Sequence, residues 1–180
     1  MDKRVTVDEN GLQDEPWELP VGWCWVALGE LGAWTGGGTP SKANPAFWSG
    51  GSVPWVSPKD MKFDVIGDTE DRITETAVDK SSAKYVSPGS ILMVMRSGIL
   101  RHTFPVAVTD RIVTLNQDLR ALTPRESINS SFIARYLKLA TKKVLEDCSK
   151  DGTTVNSIEV SALERITGAV NTLLWRRAFD

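Results

Sequence analysis

The chain of 180 residues has only two cysteines, Cys24 and Cys148, and a single histidine, His102. That scarcity excludes a zinc site built within the chain, because such a centre needs about four clustered ligands. It also removes a disulfide framework from consideration and makes a reducing, cytoplasmic setting the simplest expectation. Long apolar runs are missing too, and none approaches the ~20 residues that cross a bilayer, so no membrane partner is expected. The N-terminal stretch MDKRVTVDENGLQDEPWELP lacks the apolar core of a secretory signal. Net charge is small: 21 basic against 23 acidic side chains give −2. The strongly basic composition that usually marks a nucleic-acid-binding domain is therefore absent overall. With 41% apolar and 24% charged residues, the composition is that of a soluble globular domain with a sizeable core.

What is present is unevenly distributed. Residues 1–30 hold seven acidic side chains against Lys3 and Arg4, a local charge of −5, which leaves the rest of the chain at +3. Residues 1–16 read as a loose acidic arm. Six of the seven tryptophans fall before residue 56. Such a concentration makes either a core corner or a base-stacking platform, and the core corner is the plainer reading.

Patterning predicts strands at Trp23–Leu28, Val53–Ser57, Ile91–Met95, Val106–Val108, Ile112–Leu115 and Leu119–Leu122. Pro54 places the second of these at a sheet edge. TGGGTPSK, residues 35–42, reads as a loop with unusual backbone angles, turned against the tryptophan corner. Ile73 to Tyr85 can hold a short helix. A longer helix starts at Asn129 or Ser130, with Ile133, Leu137, Ala140, Val144 and Cys148 on one face. Arg135, Lys138 and Lys142 keep helical spacing on another face. After a turn at Asp151–Thr154, Asn156 and Glu159 have the spacing of an N-cap and its N3 partner. Strands followed by helices in one domain predict an α+β fold: a mixed or antiparallel twisted sheet with a C-terminal helical part.

Catalytic patterns fail one after another. TGGGTPSK lacks the spacing of a phosphate-binding Walker loop. Asn44-Pro45-Ala46-Phe47 approaches the Asn-Pro-Pro-aromatic motif of amino-methyltransferases but lacks the second proline, and no glycine-rich cofactor loop accompanies it. His102 has neighbouring serines but no nucleophile elbow. What remains is binding. Arg96, Ser97, Arg101, His102 and Arg111 lie within sixteen residues near strand ends, close to Asn116 and Gln117. Arginine can bond guanine bidentately, and an amide can do the same to adenine. Lys42, Lys59, Lys62, Lys138 and Lys142 are further candidates for DNA contact. The plainer alternative for RSGILRHTFPVAV, residues 96–108, is a solvated turn around Gly98.

Read in order, ELPVGWCWVALGELG, GGTPSK…PAFWSGGSVPWVSPKDM, VSPGSILMVMRSGIL, LNQDLRAL and DGTTVNSIEVSALERI resemble the target recognition domain of type I restriction-modification specificity subunits. The resemblance runs from about Glu18 to Ile166. It implies a non-catalytic subunit that reads double-stranded DNA for methylation and restriction subunits, which use S-adenosylmethionine, ATP and magnesium. No cofactor is then expected in this chain. It further implies that the shared motifs are scaffold, because reading residues differ between targets. A full subunit carries two recognition domains joined by long helices. Here one domain, 17–166, is followed by TGAVNTLLWRRAFD, residues 167–180, without heptads, so an atypical tail is expected. A fragment, a truncated product, or a half-subunit joined by a second copy all fit. Two other classes stay open: a stand-alone methyltransferase or nuclease fragment, and a protein-interaction module using the tryptophan-rich region.

Overall fold

In a computed structural model of the protein, which describes residues 18–126, 128–150 and 155–171, the run Ile91–Met95 is buried from end to end. Unbroken burial means that both faces of this strand are covered. The chain reaches it through β1 (Trp23–Ala27), β2 (Gly32–Gly36), β3 (Val53–Val56), β4 (Val65–Ile66), β5 (Asp71–Ile73) and helix α1 (Glu75–Asp79). The run itself forms β6 (Ile91–Val94), followed by β7 (Val106–Thr109), β8 (Thr114–Leu115) and β9 (Leu119–Pro124). The C-terminal part is α2 (Ser130–Leu139), α3 (Thr141–Cys148), β10 (Ser149–Lys150), β11 (Ser157–Ile158), α4 (Val160–Arg165) and β12 (Thr167–Asn171).

Five strands in the order β2-β9-β6-β7-β4 make the main sheet, with β6 at its centre. Leu92 faces Ala121 of β9 on one side and Ala107 of β7 on the other, both antiparallel, whereas β4 joins β7 in parallel. Helix α2 packs against β6 and β7. A second sheet, β5-β3-β8, lies beside it, and its Val56 and Leu115 enter the same core. The mixed sheets with helices after them are the α+β architecture the patterning predicts.

Four local expectations need correction. First, Pro54 is not at an edge, because β3 is the middle strand of its sheet. Its carbonyl accepts from Thr114 Oγ1, so its missing N–H faces the β8 side, just before pairing with β8 begins at Trp55. Second, the long helix is two helices that meet at Ala140. Ile133, Leu137, Val144 and Cys148 remain buried, since an apolar stripe does not register a one-residue break. Asn129 caps the first helix, its side chain accepting from Phe132 N. Third, Asn156 and Glu159 form no capping box: α4 has Glu159 at its N-cap without a side-chain cap bond. The segment is claimed by strand pairing instead, with Ile158 N donating to Met95 O at 2.8 Å and Ser97 N to Asn156 O at 3.2 Å. Fourth, the body does not stop at Ile166. Residues 167–171 are β12, which pairs antiparallel with β1 from Ala27↔Thr167 to Trp23↔Asn171. The acidic arm, the Asp151–Thr154 turn and residues 172–180 lie outside the described residues.

Candidate nucleic-acid interface

The strand β6 ends at Val94, and the chain emerges at one end of the sheet through Met95 and Arg96. Met95 N and Arg96 N both donate to Asp118 O, at 2.8 and 3.2 Å. Those bonds extend the β6–β9 pairing past its last register pair, Val94↔Leu119. They set Asp118 directly beside Arg96. The Arg96 guanidinium then donates through Nε to Asp118 Oδ1 at 2.7 Å. No bond from its terminal amino groups reaches the described residues, and its side chain is 59% exposed against 20% for Asp118. Ser97 caps the one-turn 3₁₀ helix Gly98–Arg101, which carries Arg101 and His102 outward. Arg101 Nε lies 3.5 Å from Asn156 Oδ1. His102 is exposed and closes the turn, its backbone N–H donating to Ile99 O.

The Asn116–Asp118 turn is built from below. Asn116 is buried; its N–H donates to Val56 O, and its Oδ1 accepts from Asp118 N at 2.9 Å. Gln117 is exposed, but its amide is engaged at both ends, accepting from Thr39 Oγ1 and donating to Asp118 Oδ2. The glycine loop is what lets these chains approach. A Cβ on Gly37 would stand 1.7 Å from Asn116 O, and one on Gly38 would stand 2.3 Å from Ser82 Oγ. None of Gly36, Gly37 and Gly38 has positive φ, so Gly37 and Gly38 are needed for close approach and not for unusual backbone angles, while a Cβ on Gly36 would meet nothing within 4 Å. The loop also turns against the tryptophans, as expected: buried Trp55 donates to Gly38 O and meets Trp48 edge-on at 5.2 Å. Asn44 caps the short helix Pro45–Phe47 by accepting from Ala46 N, a structural use of the Asn-Pro-Ala-Phe stretch.

The structure thus brings Arg96, Ser97, Arg101, His102, Asn116 and Gln117 to one end of the main sheet. Three residues outside the candidate set complete that end: Thr39, Asp118 and Asn156. Their links span 78, 22 and 55 positions along the chain, so no local spacing could have signalled them. Arg111 is elsewhere. It follows the far end of β7, where it pairs with its neighbour Asp110 at 3.5 Å. Most of the lysines carry carboxylate partners: Lys59 with Glu70 at 3.7 Å, Lys142 with Glu146 at 3.8 Å, and Lys138 with Asp64. The Lys138 hydrogen bond, and then its charge, hold the Asp64 carboxyl below its ordinary range. Lys62 and Lys138 share a cleft of about 530 Å³ with Ser97 and Ile99, next to the 3₁₀ turn. Lys42 is exposed beside Trp48, in a separate shallow depression. Among the described residues no group of three or more His, Cys, Asp or Glu could hold a metal ion, and no helix is long and apolar enough to cross a membrane.

Residues 20–167 match the model of the type I restriction modification DNA specificity domain. The chain belongs to that family. It is 43% identical over 139 residues to the EcoR124I/EcoR124II type I restriction enzyme specificity subunit of Escherichia coli, a match covering 77% of this chain and 34% of that one. It is 30% identical over 153 residues to the MjaIX specificity subunit of Methanocaldococcus jannaschii, covering 83% and 34%. The chain therefore spans about a third of the length of these curated relatives. The fold is similar to that of the HsdS subunit from Thermoanaerobacter tengcongensis, with TM-score 0.64 and 22% identity over 92% of this chain and 37% of that one. A chain from a structure of type I restriction-modification complex assembly and conformational transition also scores 0.64, at 21% identity, covering 95% and 40%. Within this chain the Arg96 end is where the segments MRSG, LNQD and TGGGT meet.

Proposed function

We propose that this chain is a recognition domain that reads double-stranded DNA within a type I restriction-modification complex, and that methylation and restriction subunits carry the chemistry. The observation that supports this most is the family match over residues 20–167, which takes in nearly the whole described body. The exposed donors of the Arg96–His102 turn agree with it, since phosphates and base edges are read by such groups carried on a rigid sheet. S-adenosylmethionine, ATP and magnesium belong in this reading to the partner subunits, in the cytoplasm. A second copy, or a second half-subunit, supplies the other half of a split target.

Titration of the purified chain with a pool of random duplexes, with and without magnesium and S-adenosylmethionine, tests the reading. The expected result is salt-sensitive binding that enriches particular sequences, without cutting or methyl transfer. Off-target affinity is expected in the range of ~10⁻⁴–10⁻⁶ M. Deleting residues 2–16 removes negative charge and is expected to tighten binding modestly. Methyl transfer from labelled S-adenosylmethionine by this chain alone overturns the non-catalytic part, and absence of any duplex binding overturns the whole.

A further inference from the structure

We propose that the two arginines of the Arg96–Arg101 turn divide the work of DNA binding: Arg96, aimed by Asp118, reads a guanine edge in the major groove, while Arg101 anchors a phosphate. This rests on the DNA-reading assignment above and names residues within it.

The division follows from what holds each guanidinium. Arg96 is gripped at Nε by a carboxylate that is itself fixed: Asp118 O accepts from Met95 N and Arg96 N, Asp118 N donates to Asn116 Oδ1, and Oδ2 accepts from Gln117. The edge bearing the two terminal amino groups is left outward with a set direction. A planar fork of donors held in one orientation matches the O6/N7 pair of guanine. Sequence reading needs that preorganisation. The pair carries no net charge, so it releases few counterions and contributes little to salt-dependent affinity. A group that is short-ranged and directional but electrostatically quiet discriminates bases better than it anchors the backbone. Arg101 is the reverse case. Its contact is the neutral amide of Asn156 at 3.5 Å, on an exposed single helical turn. It keeps its full positive charge and a loosely set direction, which suits a phosphate. Asp118 acts here through Arg96 and is a positioning residue.

The test uses the full chain with a duplex enriched from the random pool and a scrambled duplex, titrated over a range of salt. Asp118→Asn keeps the shape and the backbone bonds of the turn but removes the carboxylate. It is expected to lower discrimination between the two duplexes roughly tenfold. The double variant Arg96→Gln with Asp118→Asn leaves the chain's charge unchanged. It is expected to lose the same discrimination while the slope of log affinity against log salt stays put. Arg101→Gln is expected to weaken both duplexes alike and to reduce that slope by about one. Thermal melts establish that each variant is folded, and Asp118→Glu, which restores a carboxylate, serves where Asp118→Asn melts early: partial recovery of discrimination then supports the proposal and no recovery counts against it. If the unaltered chain selects a duplex and Asp118→Asn selects it equally well, the proposal fails while the DNA reading stands. If the charge-neutral double variant reduces the salt slope and weakens both duplexes alike, Arg96 is a phosphate contact and the division is wrong. If the unaltered chain selects nothing, the DNA reading itself has failed.

Discussion

The two ends of the β6–β7 hairpin carry arginines in unlike company. At one end Arg96 meets Asp118, a residue 22 positions away, with both backbones tied into the same sheet. At the other, Arg111 meets its own neighbour Asp110, with side chains 50% and 55% exposed. The first pair has its geometry set by strand pairing. The second is a flexible surface contact of the kind that contributes little. In the sequence the two arginines look alike, fifteen residues apart and each near a strand end. Their difference teaches that how a guanidinium is held depends on the partner the fold brings to it, not on its presence near a loop.

The comparison can be broken most forcefully at glycine. Gly37 supports the Arg96 end from beneath, and a methyl group there would overlap Asn116 O. Gly37→Ala is expected to cost about 3 kcal/mol in urea unfolding, as overpacking against backbone does. At the Arg111 end, the nearest atoms to a Cβ on Gly67 would be those of the Asp110 carboxylate, at 3.2 Å and beyond. That side chain can swing away, so Gly67→Ala is expected to stay within about 0.5 kcal/mol. Equal losses at the two positions would mean that the ends are equally rigid.

A smaller effect is expected on DNA. Arg96→Gln should cost ~1–3 kcal/mol on a selected duplex, and Arg111→Gln about 0.5 kcal/mol or less. Competition binding with both variants decides it, and a larger loss from Arg111→Gln would move the reading surface to the other end of the sheet.

The smallest effect concerns pH. Asp64 has its carboxyl lowered from 3.8 by the Lys138 hydrogen bond and charge. A depressed carboxylate contributes stability that is present above the unfolded pKa and is lost as pH falls through the folded value. Both partners sit toward the surface, so the change in stability is expected to be slight. The titration itself is the sharper measurement. Carboxyl chemical shifts of Asp64 should give a midpoint below 3.8 in the unaltered chain, and Lys138→Met should bring it back up. An unmoved midpoint would show that the ion pair does not persist in solution and that Lys138 is open to other partners.

Much of the scaffold was legible along the chain, because its signals are local. The unbroken apolar run at Ile91–Met95 marked a strand covered on both faces. The 3- and 4-residue spacing from Ile133 to Cys148 marked the buried helical face, although it passed over the break at Ala140. Asn129 was recognisable as a cap because it bonds an amide three residues on. Pro54 misled for the same reason in reverse: proline forbids a donor, but whether the neighbouring strand needs one at that point depends on where β8 begins. Asn156 and Glu159 had the spacing of a capping box and lost the competition to strand pairing with residues 95–97.

For the site, residue type and position along the chain were enough to nominate Arg96, Ser97, Arg101, His102 and Gln117, since each is a donor-bearing side chain beside a strand end or turn. The ordered motifs were enough to indicate the family. Only the tertiary structure decided which of those donors lie together. It separated Arg111 from Arg96, tied Lys138 to Asp64, withdrew Asn116 into the support of the turn, and added Thr39, Asp118 and Asn156. Those outcomes depend on contacts across 22 to 78 residues of chain, and such contacts are set by sheet register and by the space left where glycine has no side chain, neither of which leaves a periodic trace in the sequence.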